Sequence, residues 1–108
     1  MEDMINIETK KEGNTCTIFV SGVVDYSTMD PFIKEIRAVE RGTAEVIVNF
    51  KGLEFIDSTG IGAIINLAHE ANDKQFAVKL EGMSEETNEL FDMIGVFQIM
   101  QTLQSEGQ

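Results

Sequence analysis

Apolar and polar residues alternate near the start of the chain, which is the pattern of β-strands with one buried face. The alternation begins at Ile5, is interrupted by turn-forming residues at 12–14, and resumes from Cys16 to Val20 before it ends at Gly22. We predict two strands paired as a hairpin, and Cys16 as a small buried apolar residue of the second strand.

The segment from Asp30 to Gly42 has the pattern of an amphipathic helix. Asp30 and Pro31 are typical of an N-cap and a first helical residue, because a carboxylate accepts a free amide hydrogen and proline lacks one. Apolar residues then recur at helical spacing from Phe32 to Val39, and Gly42 follows as a stop signal. We predict the first helix here.

The middle of the chain predicts a buried strand, a helix and another strand. Residues 46–48 are consecutively apolar, which is typical of a central strand with covers on both faces or neighbours on both edges. Lys51-Gly52 predicts a loop after that strand. A second helix, with an apolar stripe from Ile61 to Ala68, is expected to end near 72–73, and the next strand is expected at 76–80.

The last predicted element is a third helix with Ser84 as its N-cap. Glu85 and Glu86 fall in its first turn, where the helix dipole favours negative charge, and its buried face comprises Leu90, Phe91 and Ile94 before Gly95. Residues 96–100 are expected to form a short strand or an extended tail, and residues 100–108 a weakly ordered tail or short helix.

This order of elements predicts an α/β fold: one domain over residues 1–108, with a mixed sheet of four to five strands and helices packed on it. Strand-helix-strand units place their strands parallel, so strands two, three and four share a direction. Such sheets usually present functional loops at the carboxyl ends of the strands. We expect loops 24–26, 55–60 and 81–83 to meet at that edge.

Composition narrows the classes of partner. The chain has 108 residues, 19 acidic against 8 basic, and a formal net charge of -11. That charge disfavours nucleic acid and anionic lipid and favours a basic protein partner. With one cysteine, an acidic start at Met1 to Met4 and no apolar run of membrane-spanning length, we expect a cytoplasmic protein without direct membrane insertion.

The segment 55–62 holds the best candidate chemistry. Asp57 or Ser58 is the expected N-cap of the second helix, and free amides at Thr59, Gly60 and Ile61 would favour an anion on the Ser58 hydroxyl. The alternative is that these residues only cap the helix and let it pack closely on the sheet. Spacing alone favours that alternative.

Catalytic and cofactor sites are disfavoured by the sequence. Ser58 and His69 lie eleven positions apart on one predicted helix, about 16 Å at about 1.5 Å per residue, so they cannot form a nucleophile and base pair. The glycines near Ser58 lack the pattern of a phosphate-binding or dinucleotide-binding loop. One histidine and one cysteine give no transition-metal cluster, and no cofactor is expected.

The chain resembles the bacterial anti-sigma-factor antagonists, which consist of a single STAS domain. The resemblance runs from the first hairpin to residues 95–97, and its most specific part is 57–62, similar to the Asp-Ser-Ser/Thr-Gly signature of that family. Residues 22–25 resemble the Gly-Glu-Leu/Ile-Asp segment of the family, with Val23 in place of the usual glutamate.

The resemblance implies a function. In the family, the serine matching Ser58 is phosphorylated by a partner that is both anti-sigma factor and serine kinase. The unphosphorylated antagonist binds that partner and releases the sigma factor, and a PP2C-type serine phosphatase restores it. Ser58 is then the expected phosphorylation site, and the expected partner-binding residues are Asp25, Asp57, Ser58, Thr59 and Gly60.

Two other functions remain as alternatives. One is a STAS subunit of a stress-signalling or membrane-transport assembly, also without catalysis. The other, from a different class, is a small hydrolase or nucleotide-binding enzyme, disfavoured by the missing base and phosphate loop. We expect a regulator of transcription that is a kinase substrate and not an enzyme.

Overall fold

The computed structural model of the chain describes residues 5–96 and 98–99. Its elements, in chain order, are β1 (Ile5–Glu12), β2 (Thr15–Val24), α1 (Met29–Arg37), β3 (Glu45–Ile56), α2 (Ser58–Lys74), β4 (Ala77–Glu81) and α3 (Glu85–Ile94). The four strands form one sheet in the order β1-β2-β3-β4. β1 is antiparallel to β2, and the other pairs are parallel. The predicted hairpin, parallel strands and mixed α/β sheet are confirmed. The predicted tail at 100–108 lies outside the described residues.

The core lies between one face of the sheet and the helices. Alternate residues of β2 and β3 are fully buried on that face, among them Ile18, Val20, Val46 and Val48. α1 packs against β1 and β2, and α2 against β3 and β4. The Phe91 ring of α3 meets Phe50 of β3 edge to face, with centroids 6.0 Å apart. Cys16 is buried in this core as predicted, and burial raises the pKa of its thiol.

β3 is longer than its sequence pattern predicts. The predicted loop at Lys51-Gly52 is wrong, because the strand continues through it to Ile56. Gly52 pairs with Ser21, and a Cβ at position 52 would lie 2.6 Å from the Ser21 Cβ. The glycine therefore permits close approach of two strands and does not end one. β3 is a central strand because β2 and β4 pair with its two edges. Ile47 is only half-buried. Of the two predicted arrangements, covers on both faces or neighbours on both edges, the second is therefore correct.

β2 also continues beyond its predicted end. It passes Gly22, whose φ is 87°, and reaches Val24, with register shifts against β3 between Phe19 and Ser21 and between Gly22 and Val23. These irregularities break the simple alternation of buried and exposed residues without ending the pairing. The extension brings Val24 beside Ile56.

α1 begins and ends earlier than predicted. Its N-cap is Thr28, not Asp30, which lies in the first turn with Pro31. Proline is tolerated throughout the first turn, where amide hydrogens have no partner within the helix, so it does not fix the first residue. The helix ends at Arg37, and Gly42, with φ at 98°, belongs to the connection to β3.

The remaining elements differ less from the predictions. β4 is displaced by one residue, to Ala77–Glu81. Ser84 caps α3 through its side chain, which accepts the Thr87 amide hydrogen, and Gly95 ends the helix with φ at 85°. Val96, Gln98 and Ile99 are helical, so the predicted strand or extended tail is wrong at these residues.

Candidate functional site

The carboxyl ends of β2 and β3 meet at one edge of the sheet. Val23 pairs with Phe55 and Val24 with Ile56, and the Asp57 amide donates to the Val24 carbonyl at 3.2 Å. The loop after β2 and the start of α2 are therefore held side by side. We call this surface, formed by residues 24–27 and 55–58, the Ser58 edge.

A single residue, Asp57, connects β3 to α2. Its φ of -104° and ψ of -174° are extended, and its side chain accepts the Gly60 amide hydrogen, with Oδ1 to N at 3.0 Å. The Asp57 carbonyl accepts the Ile61 amide hydrogen at 3.0 Å. Of the two predicted N-caps, Asp57 is the correct one. The predicted free amides at Gly60 and Ile61 are therefore wrong, because both are bonded.

The unpaired amides of this helix end are those of Ser58 and Thr59. Neither donates to another group among the described residues, and the same holds for their hydroxyls. The Ser58 side chain is exposed, whereas Thr59 is half-buried. The positive end of the α2 dipole thus lies directly beneath an accessible hydroxyl.

Gly60 sets the distance between α2 and the sheet. A Cβ at this position would lie 2.6 Å from Ile56 Cγ1, 2.8 Å from Val24 Cγ1 and 2.9 Å from the Val24 carbonyl oxygen. Any side chain here would push the helix away from the ends of β2 and β3. Since Gly60 is itself buried, it positions the site and offers little contact surface.

Asp25 organises the loop after β2. Its Oδ1 accepts hydrogen bonds from the Ser27 amide at 2.9 Å and the Ser27 hydroxyl at 2.8 Å. The Thr28 hydroxyl donates to the Val23 carbonyl at 2.7 Å and accepts from the Asp25 amide at 2.9 Å. The Ser27 hydroxyl, followed by the other donors, holds the pKa of Asp25 below its ordinary value. Asp25 therefore stays charged at the Ser58 edge.

The third predicted loop does not join this edge. β4 ends at Glu81, which pairs with Asn49, while β2 and β3 continue further. Phe19 lies at the same level as Asn49, and the five residue-to-residue steps from Phe19 to Val24 extend for about 16 Å at about 3.3 Å per step. Loop 81–83 is therefore beside the middle of β3, because β4 is much shorter than β3.

Ser58 and His69 are too far apart to form a nucleophile and base pair. His69 is exposed on α2, and the helical rise places it about 16 Å from Ser58, as the sequence predicts. Among residues 5–96 and 98–99, no group of three or more His, Cys, Asp or Glu side chains is placed to hold a metal ion. Within the same ranges, no helix is long and apolar enough to cross a membrane.

Sequence reasoning missed two residues of this edge, Tyr26 and Phe55, and the adjacent Thr28. Thr28 fixes the loop after β2 through its hydrogen bond with the Asp25 amide. Its position in the sequence, three residues after Asp25 and at the start of the apolar run of α1, is typical of a helix N-cap. Tyr26 and Phe55 are exposed aromatic side chains. Their exposure has no signal in the sequence, because it depends on tertiary packing.

Comparison with known proteins identifies the family. The sequence matches the STAS domain family over residues 6–108. It is 28% identical over 98 residues to an anti-sigma-B factor antagonist of Staphylococcus aureus strain NCTC 8325, covering 89% of this chain and 90% of that protein. It is 31% identical over 98 residues to the anti-sigma-B factor antagonist of Staphylococcus epidermidis, with the same coverage of both chains.

Solved structures show the same fold. An anti-sigma factor antagonist from Mycobacterium paratuberculosis has a TM-score of 0.74 at 17% identity, covering 91% of this chain and 84% of that one. The phosphorylated form of SpoIIAA, the Bacillus cell fate determinant, has a TM-score of 0.69 at 22% identity, with 86% of each chain covered. A similar fold occurs in the longer Mglu, of which this chain covers 20%, at a TM-score of 0.65 and 17% identity. On its sequence and its fold, the chain belongs to the STAS domain family.

Proposed function

We propose that this chain is an anti-sigma-factor antagonist switched by phosphorylation of Ser58. In its unphosphorylated form it binds an anti-sigma factor that is also a serine kinase, and the sigma factor is released. Phosphorylation of Ser58 ends that binding, and a PP2C-type serine phosphatase restores it. The names of the curated relatives support the antagonist function. In this proposal the chain is a substrate and a binding protein and performs no catalysis.

One observation carries the choice of Ser58: its hydroxyl is exposed and unbonded at the first residue of α2, beside two free amides. An acceptor hydroxyl must enter a kinase site, and Ser58 is accessible to one. Thr59, the adjacent hydroxyl, is half-buried in the first turn. The geometry therefore favours Ser58 over Thr59 as the acceptor.

The same geometry explains how phosphate changes binding without changing the fold. A phosphoryl group adds a charge of about -1.5 to -2. The free amides of Ser58 and Thr59 and the α2 dipole stabilise such an anion within the free protein. A partner surface fitted to a small hydroxyl cannot accommodate it. A loss of about 2–5 kcal/mol in binding free energy is expected from such a buried mismatch.

The test is phosphorylation by the purified anti-sigma-factor kinase encoded in the same genome. With ATP, the intact mass should increase by one phosphoryl group, which fragmentation should place on Ser58. Ser58→Ala should remove the modification, whereas Thr59→Val, the matched control at the next position, should retain it. Phosphate on Thr59 in the wild-type protein would contradict the assignment.

Binding and stability must then be measured separately. By calorimetry, Ser58→Ala should bind the kinase whether or not ATP is present, and the phosphoprotein should bind at least about 30-fold more weakly. Thermal melts of the two wild-type forms should nearly coincide. A phosphoprotein that binds as tightly as the unmodified form, or that loses binding because it has unfolded, would overturn the proposed switch.

A further inference from the structure

Two exposed aromatic side chains belong to the segments that form the Ser58 edge. Tyr26 is 83% exposed and Phe55 is 53% exposed, and they are among five large apolar side chains that are exposed in the described residues. Phe55 pairs with Val23, and Tyr26 follows two residues after Val24, where β2 ends. Both rings thus belong to the Ser58 edge. Large aromatic side chains in water contribute little to the fold and are typical anchors of protein interfaces.

The charged side chains of the segments that carry these rings are acidic. Asp25, Glu54 and Asp57 lie at or next to the Ser58 edge, and the ion pairs of the described residues involve none of them. Neither segment 23–33 nor segment 53–73 contains a lysine or arginine. A surface that complements this edge must therefore carry basic groups around its apolar contacts.

The first turns of α2 also leave room for a partner. Ser58 and Gly62 are four residues apart, so they lie on the same face of the helix. A Cβ at Gly62 would meet nothing within 4 Å, in contrast to Gly60. The fold thus gives no packing reason for glycine at position 62, although glycine destabilises a helix interior. A partner backbone that approaches Ser58 closely would supply that reason.

We propose that Tyr26 and Phe55 are the apolar anchors through which the Ser58 edge binds its anti-sigma partner, on a partner surface that has an apolar pocket rimmed by basic side chains. This inference rests on the proposed function and specifies its binding surface. The acids of the edge steer the partner and hold it in register, while the two rings provide most of the contact energy.

The experiment measures binding of the purified anti-sigma-factor kinase to Tyr26→Ser and Phe55→Ser by calorimetry without ATP. Each variant should bind at least about 30-fold more weakly than the wild type, as is typical of an interface hot spot. The matched control is Phe19→Ser: Phe19 is 39% exposed on β2, far from the edge, and its loss should change affinity less than about 3-fold. Raising the salt concentration should weaken binding of the wild type, chiefly by slowing association.

Failure of this inference and failure of the proposed function have different signatures. If the wild type binds and is phosphorylated but Tyr26→Ser and Phe55→Ser bind within about 3-fold of it, the anchors are wrong and the function stands. If the wild type neither binds the kinase nor accepts phosphate, the function fails. Loss of self-association in Tyr26→Ser by sedimentation, with kinase binding unchanged, would assign the rings to a second copy of this chain and overturn the inference.

Thermal melts show whether a variant that binds weakly is still folded. Because Tyr26 is 83% exposed, its removal should change the melting temperature little. Weak binding by Tyr26→Ser at an unchanged melting temperature then reports the interface. Should Phe55→Ser melt well below the wild type, Phe55→Leu tests the same ring with less change in packing. Phe55→Leu that melts like the wild type and binds equally well would contradict the role of Phe55.

Discussion

Acidic side chains are paired between elements at one end of the sheet and, in the part of the chain that the structure describes, have no basic partner at the other. At the amino ends of β2, β3 and β4, acids and bases from different elements pair: Lys11 with Glu40 at 3.3 Å, Arg41 with Asp73 at 3.2 Å and Lys79 with Glu45 at 3.7 Å. At the Ser58 edge, the acids have no basic partner among the described residues. One end uses charge to connect elements, and the other leaves it available to a second molecule.

Lys74 connects α1 to α2 at the end of the sheet where the parallel strands begin. Its Nζ donates to the Arg37 carbonyl at 2.9 Å and the Val39 carbonyl at 2.8 Å, and pairs with Glu70 at 3.2 Å. The side chain is only 16% exposed. It therefore bonds carbonyls left unpaired where α1 ends and ties α1 to the last turn of α2.

The Ser58 edge is ordered by a different means. Its polar groups are satisfied by neighbours in sequence, through the Asp25 and Thr28 hydrogen bonds and the Asp57 cap. Those bonds fix the positions of the backbone without neutralising the carboxylates. An edge ordered by local hydrogen bonds can therefore keep its charge available for a partner.

The largest expected effect on stability is from Gly60→Ala, which breaks the contact between α2 and the Ser58 edge. The added Cβ would overlap Ile56 and Val24, including a backbone oxygen that cannot move independently. Overpacking of this kind typically costs about 1–3 kcal/mol, and we expect about 3 kcal/mol here. Urea denaturation measures the change, and a variant as stable as the wild type would show that α2 is not seated as described.

Lys74→Met tests the amino end and should have the next largest effect. The variant retains the apolar stem but removes the charged donor from two carbonyls and leaves Glu70 without its partner. Hydrogen bonds from charged groups are each worth about 1.5–3 kcal/mol, and partial solvent access reduces the net loss to about 2 kcal/mol. Lys79→Met, which breaks a more exposed pair, is the control and should cost less than 1 kcal/mol. Equal losses in the two variants would contradict the role given to Lys74.

Two substitutions of Asp25 distinguish the effect of its charge from the effect of its hydrogen bonds at the Ser58 edge. In Asp25→Asn, the side-chain oxygen can still accept the Ser27 hydrogen bonds, whereas Asp25→Ala loses them. We expect the alanine variant to melt lower, and by less than Lys74→Met. If the charge contacts the partner, the asparagine variant should fold normally and bind the kinase more weakly. Normal binding by Asp25→Asn would limit Asp25 to shaping the loop.

The pH dependence of stability has a definite sign at this residue. Because folding lowers the pKa of Asp25, the folded state binds fewer protons there than the unfolded state. The resulting stabilisation is fully present above the ordinary pKa of aspartate, and it is lost as the pH falls through the lower folded-state value. Asp25→Asn should therefore flatten the acid limb of the curve of stability against pH. An unchanged acid limb would contradict the assignment.

Local signals account for what could be predicted. The first hairpin, the Ser84 cap and the parallel order of β2, β3 and β4 follow from alternation, capping residues and chain order, and all are confirmed. The resemblance to anti-sigma-factor antagonists is likewise confirmed by the family match and the relatives. The length of β3 could not be predicted, because Lys51-Gly52 has the composition of a turn and continues as a strand only through its contact with β2.

The candidate site could be predicted only where its signals are local in the sequence. Asp57 and Ser58 carry a capping pattern in their own sequence. The position of loop 81–83 depends on the relative lengths of β3 and β4, which arise from pairing between distant segments. Glycine is ambiguous in sequence: Gly60 is required by packing and Gly62 is not, and only the surroundings of each distinguish them.

Gly62→Ala is expected to give the smallest change in stability, and it distinguishes a structural role of position 62 from a role in partner binding. The added methyl group meets nothing within 4 Å, and alanine is a better helix former, so the free protein should gain about 0.5–1 kcal/mol. A structural role alone predicts that improvement and normal binding. If position 62 is bare because a partner backbone approaches beside Ser58, the stabilised variant should instead bind the anti-sigma-factor kinase more weakly and be phosphorylated more slowly. Urea denaturation and calorimetry on the same protein measure both quantities, and Asn66→Ala, one turn further along the same face and half-buried, is the control for binding. A Gly62→Ala protein that is more stable and binds as tightly as the wild type would exclude close approach at this position.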